Sequence, residues 1–262
     1  MSRRPPNARR TLPLWAGALL LLALCAPLIA RAEESPNAPP KAAPKAAPEA
    51  PKKAADPLLI GEYGLSVEQV VDGDTIRLPD GQGSIRILGL DCEETFKNER
   101  DRKAAAADFA AYAKAKRGDA KRPVKYGTPA GEAATAYLRA LAKNCKTMRL
   151  ERDRVGARER GTYGRMLAHV FLVQADGPRL NVAENLIRAG HSPRFVKYGR
   201  SARFHGLFSL AQDEARKARR GIWNPNGPAH YPDYDERLTW WTARMGQLER
   251  WQVHAKKLDH VT

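Results

Sequence analysis

Hydrophobic positions fall into three regimes along the chain. Leu14 to Ile29 is a nearly unbroken apolar run, and residues 33–57 are almost all Ala, Pro, Lys and Glu with no aromatic or branched apolar side chain. From Leu58 onward, short β-like runs alternate with helical ones. Leu65 to Val71, Thr75 to Leu78 and Ser84 to Leu90 read as strands, the last two separated by a turn over Pro79-Asp80-Gly81 and Gly83. Lys97 to Arg117 is rich in Ala, Lys and Arg and reads as one helix, ended by a Gly/Pro break from Gly118 to Pro123. Glu132 to Asn144 reads as an amphipathic helix with Ala133, Ala136, Tyr137, Ala140 and Leu141 on one face. Thr147 to Glu151 and Met166 to Val173 are strand-like and joined by a charged loop. Asn181 to Ala189 and His205 to Arg219 read as helices stopped by Gly190 and Gly221.

Strands first, with helices between and after them, imply an α+β fold: a small closed antiparallel barrel with packed helices. The tail from Asn224 begins rich in Pro and Gly and then reads as one helix from Tyr234 to about Lys257. Leu238, Trp241, Met245, Leu248, Trp251, Ala255 and Leu258 recur on it at steps of three or four. Such a stripe is expected to pack on its own domain, with membrane-surface docking or dimerisation as its other uses.

Composition changes this picture in two ways. With 43% hydrophobic and 28% charged residues the chain can bury one real core, but 45 Lys+Arg against 29 Asp+Glu give it a formal charge of +16. A basic surface attracts phosphate backbones by counterion release, so nucleic acid is the default partner and anionic cell envelope the alternative. The N-terminus supplies the second change. Arg3, Arg4, Arg9 and Arg10 precede the apolar run, and Ala30-Arg31-Ala32 follows it as a small-x-small cleavage site. Residues 1–32 are therefore expected to be an export signal, placing the mature chain in the periplasm or outside the cell. An uncleaved anchor is the second reading; Cys25 makes a poor lipid-attachment site after the bulky Leu24. Cleavage removes five arginines and no acid, which leaves +11. Residues 33–57 would form a semi-rigid tether. Cys92 and Cys145 remain, either bridged or as two buried thiols.

Candidate chemistry lies in two stretches. The first holds Asp72-Gly73-Asp74-Thr75, Arg86 and Asp91-Cys92-Glu93-Glu94-Thr95, and the second is Tyr163-Gly164-Arg165. Each alone has an ordinary structural reading: a turn, solvated loop acids, a hairpin tip. Together, Asp74, Asp91 and Glu94 suit a hard divalent cation and a water, and Arg86 and Arg165 suit a phosphate.

These motifs lie within longer runs: Val71-Asp72-Gly73-Asp74-Thr75-Ile76, Ile85 through Thr95, Lys125-Tyr126-Gly127, Tyr163 through Ala168, Asn181 through Gly190, and Gly221-Ile222-Trp223. The set resembles the staphylococcal nuclease family over about residues 62 to 224. The resemblance implies a five-stranded barrel of the oligonucleotide-binding type with three helices. The chain would then divide into a signal (1–32), a linker (33–57), the nuclease-like domain (58–224, with an insertion at about 97–123) and a helical tail (225–262).

The resemblance also implies roles. Asp74, Asp91 and the backbone carbonyl of Cys92 would hold Ca²⁺. Glu94 would orient or deprotonate the attacking water, and Arg86 and Arg165 would stabilise the phosphorane-like transition state. Tyr163 and Tyr198, with Phe195 nearby, stand near the family's base-stacking aromatics. The implied protein is an exported, Ca²⁺-dependent nuclease that cuts DNA and RNA without sugar preference and leaves 3′-phosphate ends. It would be a monomer without a small-molecule cofactor, touching membrane only if residues 1–32 are retained. Two other readings stand beside it: an inactive nucleic-acid-binding barrel, and an envelope-attached scaffold that works through its tether and tail.

Three features depart from the family pattern. Cys92 stands where Thr is usual, and Glu93 stands where Pro is usual. Glu93 would add a metal-binding acid or compete with Glu94 as the base. The inserted segment carries Lys97, Arg100, Arg102, Lys103, Lys114, Lys116 and Arg117. It reads as a lid, a backbone-binding ridge or a solvated helix.

Overall fold

The computed structural model describes residues 56–174, 177–227 and 231–258; the expected signal and nearly all of the linker lie outside them. The elements run β1 (Leu59–Gly64), β2 (Val70–Asp72), β3 (Thr75–Arg77), β4 (Ser84–Ile87), α1 (Glu99–Ala107), α2 (Phe109–Arg117) and α3 (Pro129–Ala142). They continue with β5 (Thr147–Glu151), β6 (Met166–Val173), β7 (Leu180–Asn181), α4 (Val182–Arg188), α5 (His205–Lys217) and α6 (Tyr234–Leu258).

The sheet order is β1-β5-β6-β4-β3-β2, with β7 on β6. Its two ends, β1 and β2, are consecutive in the chain and separated by one 3-10 turn, Val67–Gln69. The Gln69 side chain accepts the Ser66 amide there at 2.5 Å. The strand expected over Leu65–Val71 is thus mostly this turn, and only Val70 and Val71 belong to β2. Strand β1, which the pattern did not announce, lies before it, so the turn carries the chain from one end of the sheet to the other. One pair is parallel: Ile85, Arg86 and Ile87 of β4 lie opposite Met166, Leu167 and Ala168 of β6. The architecture is the α+β, oligonucleotide-binding-type barrel.

Alternation along the strands fills the interior with Ile76, Ile85, Ile87, Met148, Leu150, Val170 and Leu172, and the helices cover it with Leu138, Leu186, Ile187 and Phe208. Helix α3 begins at Thr128, whose side chain accepts the Gly131 amide at 3.1 Å, with Pro129 in the first turn. Its buried face is Ala134, Thr135, Leu138 and Ala142, whereas Ala136 and Ala140 are exposed. The face expected from the alanines is thus rotated. Alanine occurs all around this helix, so methyl groups do not mark its inner side, and only Leu138 does.

The segment expected as one helix over Lys97–Arg117 is two. Asp108 ends α1 and caps α2, accepting the Ala111 amide at 3.0 Å. Tyr112 anchors the pair: it is buried, packs edge-on against Tyr126 and donates to the Gly127 carbonyl at 3.0 Å. The tail helix α6 docks on the domain through Trp241 and Met245, while Trp251 is 78% exposed. The side chains of Ala255 and Leu258 lie outside the described residues.

Asp153 ties the start of the β5–β6 loop to the segment before α5. Its carboxylate meets His169 Nε2 at 2.9 Å and accepts the Ser201 hydroxyl at 2.5 Å and the Ala202 amide at 2.9 Å. Burial pushes this carboxyl up, but the bonds from His169, Ala202 and Ser201 outweigh it and hold it well below the usual carboxylate range. A depressed pKa in the folded state stabilises above the unfolded value and loses that effect as pH falls. Asp153→Ala should therefore cost about 2 kcal/mol at neutral pH. The gap to wild type should hold above about pH 4 and shrink below it. Urea midpoints at several pH values measure both.

Candidate active site

Pairing of the barrel strands brings the two motif stretches together. Asp72 and Thr75 face each other across the β2–β3 turn, and Thr75 pairs with Arg86 on β4. The parallel pairing of β4 with β6 sets Arg86 level with Leu167, so Arg165 enters beside the same row. Its guanidinium lies 3.4 Å from the Thr75 hydroxyl, which donates to Asp74 Oδ1 at 3.0 Å. The loop after β4 is fixed at two points. The Asp91 amide donates to Ser192 Oγ at 2.9 Å, and Glu94 bridges to Gly127. Helix α3 crosses this loop at Gly131, where a Cβ would stand 1.9 Å from the Glu94 carbonyl oxygen. Only glycine permits that approach.

Arg86 is the hub. Its two terminal nitrogens pair with Asp74 Oδ1 at 2.6 Å and Asp91 Oδ1 at 2.7 Å, and the second also donates to the Leu90 carbonyl at 3.3 Å. Its Nε is buried and has no hydrogen-bond partner among the described residues. Phe195 lies beneath the guanidinium, 5.7 Å away. Asp74 Oδ2 accepts the Cys92 amide at 2.9 Å.

Asp91 Oδ2 receives the Tyr231 hydroxyl at 2.6 Å and the Lys125 ammonium at 3.0 Å. The same ammonium donates to the Cys92 carbonyl at 2.6 Å. Glu93 is buried against Arg237 of α6 and lies 3.8 Å from Lys125. Three carboxylates thus face three cationic side chains.

The environment splits the two aspartates. Burial drives the Asp74 carboxyl up to about 7, Arg86 offsetting it only in part. Burial acts on Asp91 too, but Lys125 and Arg86 overcome it and hold that group at about 2. Burial lowers the Lys125 ammonium, and Asp91 and Glu93 more than restore it, so it stays charged. The Cys92 thiol is pushed well up, by burial and then by the Asp74 charge. Cys92 and Cys145 are both buried free thiols, which settles the pairing left open by their spacing.

The remaining site residues stand nearer solvent. The Glu94 side chain is 32% exposed and lies 3.7 Å from Lys97. Tyr163 is 84% exposed, with Arg165 over its ring at 5.8 Å. Tyr198 is half-buried and packs edge-on against Phe195. Glu93, read from the sequence as an added acid of the site, is turned inside and paired with Arg237 of α6.

Three participants carried no assigned role in the sequence. Lys125 belongs to the Lys125-Tyr126-Gly127 run, and its only signal was that position. Tyr231 and Arg237 come from the tail, and nothing in their local sequence marks them.

The Ca²⁺ implied by the family resemblance needs oxygen donors, and in this arrangement the Lys125 ammonium sits on two of the three expected groups. Asp74 Oδ2 and Asp91 Oδ1, each accepting a single hydrogen bond among the described residues, nevertheless keep a further lone pair. Both oxygens of Asp74 and both of Asp91 are engaged, and Lys125 holds the Cys92 carbonyl. Among the described residues no group of three or more His, Cys, Asp or Glu is arranged to hold a metal ion.

Comparison with known proteins gives the family. The model of the staphylococcal nuclease homologue family matches residues 84–225, which spans Arg86 through Arg165 but neither Asp74 nor the tail. Endonuclease YhcR of Bacillus subtilis (strain 168) is 27% identical over 184 residues, covering 68% of this chain and 13% of that protein. Endonuclease YncB of the same organism is 26% identical, covering 62% and 63%. An uncharacterized endonuclease of Escherichia coli O157:H7 is 25% identical, covering 66% and 84%. The chain thus spans about an eighth of the first of these relatives and under two thirds of the second. With a family model laid over more than half its length, and Arg86, Asp91, Glu94 and Arg165 all inside the matched span, the chain belongs to the staphylococcal nuclease family.

Proposed function

We propose that this chain is a nuclease that hydrolyses phosphodiester bonds of DNA and RNA. The observation that carries this reading is the convergence of Arg165 and the buried Arg86–Asp74–Asp91 cluster through Thr75, with Glu94 on the adjoining loop. The relatives compared above are themselves named endonucleases.

Glu94, fixed by its backbone and free at its carboxylate apart from Lys97, orients or deprotonates the attacking water. Arg165 donates to phosphate oxygens as their charge grows, which its planar fork suits. Arg86 is held rigid by two aspartates and keeps one buried N–H, on Nε, for the phosphate. Tyr163 offers an exposed ring for a base, and Tyr198 a second, half-buried one. Contacts to phosphate and to base faces explain indifference to the sugar. Cleavage at the 5′ oxygen, leaving 3′-phosphate ends, follows from the family resemblance, as does the dependence on Ca²⁺.

Export belongs to the same reading and rests on residues 1–32, as does any contact with membrane; the chain is taken as a monomer. No described helix is long and apolar enough to cross a membrane.

Arg165→Ala tests the reading. Its single side-chain hydrogen bond among the described residues is the 3.4 Å contact with Thr75, so stability should hold. Turnover on single-stranded DNA should fall about 10²–10³-fold. An unchanged rate would remove Arg165 from the reaction.

The closed charge cluster favours one second reading, a barrel that holds nucleic acid without cutting it. Tight binding of single-stranded DNA with no cleavage under any cation would establish that instead.

A further inference from the structure

The Lys125 ammonium stands where the family resemblance would put a divalent cation. It lies 3.0 Å from Asp91 Oδ2 and 2.6 Å from the Cys92 carbonyl oxygen, two of the three groups expected to hold that ion. The third, Asp74, is turned to Arg86, Thr75 and the Cys92 amide. A divalent ion added beside the ammonium would meet a like charge at contact distance while competing for the same oxygens.

Lys125 is also built to leave. Its side chain is 32% exposed and carries a compact charge on a flexible stem. The backbone that presents it is held from both sides. Glu94 bridges to Gly127, and Tyr112 of the inserted helices donates to the Gly127 carbonyl. The position of the ammonium is thus set by the fold, and its departure requires only side-chain rotation.

We propose that Lys125 is the resident cation of the Asp74, Asp91 and Cys92 cluster, and that Ca²⁺ binds there only by displacing its ammonium. This rests on the nuclease reading only in taking that cluster as the cation site. The device lowers apparent affinity: an ammonium seated nine-tenths of the time weakens Ca²⁺ binding about tenfold. It makes the cluster charge-matched at low Ca²⁺ and cation-loaded at high Ca²⁺, so a rise in Ca²⁺ switches the site on.

Calorimetric titration of Ca²⁺ into the purified wild-type chain, Lys125→Met and Lys125→Gln tests this. Both variants should bind Ca²⁺ about tenfold or more tightly than wild type. In the wild type, the ¹⁵N ammonium resonance of Lys125 should move to the position of solvent-exposed lysines as Ca²⁺ saturates. This second readout stands even if neither variant folds. Equal or weaker binding by the variants overturns the proposal, as does a Lys125 resonance unmoved at saturation. Cleavage of single-stranded DNA by the wild type, assayed in parallel, decides the nuclease reading separately, so the two can fail independently.

Discussion

Arg86→Ala should cost about 3–5 kcal/mol of folding stability and abolish cleavage, the largest stability loss expected at any site position. The guanidinium, 9% exposed, is the shared partner of Asp74 and Asp91. Removing it leaves two carboxylates facing one another at the barrel end. Against a typical total of about 5–15 kcal/mol, that loss threatens folding itself. Asp74 relieves part of it by taking up a proton, since its carboxyl already sits at about 7. Asp91 keeps Lys125 and Tyr231 and remains ionised. Denaturant unfolding of the two proteins measures the difference. A loss below about 1 kcal/mol, the size of an exposed pair, would show the cluster to be solvated.

Glu94→Gln should behave in the opposite way. The side chain is partly exposed, and its one ion-pair partner among the described residues is an exposed lysine at 3.7 Å. Glutamine keeps the shape and loses the base, so the melting temperature should stay at the wild-type value while turnover drops about 10²–10⁴-fold. Binding of single-stranded DNA should survive, since Arg165 and the tyrosines are untouched. Read together, the two variants separate what holds the site from what works in it. A rate loss with a parallel loss of stability in Glu94→Gln would mean that the loop, and not the carboxylate, had been damaged.

Much of this arrangement was legible in the sequence because it is local. Strands β3 to β6 follow from apolar periodicity, helices α4 and α5 from periodicity and their glycine stops, and α6 from its apolar stripe; the barrel order follows once the motifs are matched. Three local errors share one cause: a polar side chain bonding to nearby backbone. The Ser66–Gln69 turn replaces most of the strand expected over Leu65–Val71, Asp108 splits the inserted helix, and Thr128 starts α3 before Glu132.

What could not be read is non-local. Tyr231 reaches Asp91, Arg237 reaches Glu93, and Trp241 packs edge-on against Phe195, itself under Arg86. Each joins the tail to a residue more than forty positions away, and no periodicity announces it. Glu93 shows the consequence. Beside Glu94 it reads as an extra acid of the site, and only its burial against Arg237 makes it the dock for α6. Lys125 is the subtler case. Its motif is visible in the sequence, but its place on the Cys92 carbonyl depends on the Glu94–Gly127 bridge between two distant loops.

The most direct test of the central claim is incubation of the purified chain with single-stranded DNA, once in Ca²⁺ and once in chelator, with binding measured alongside. Cleavage in Ca²⁺ that stops in chelator is the predicted result. Tight binding with intact DNA in both conditions would contradict it and leave a barrel that holds nucleic acid without cutting it.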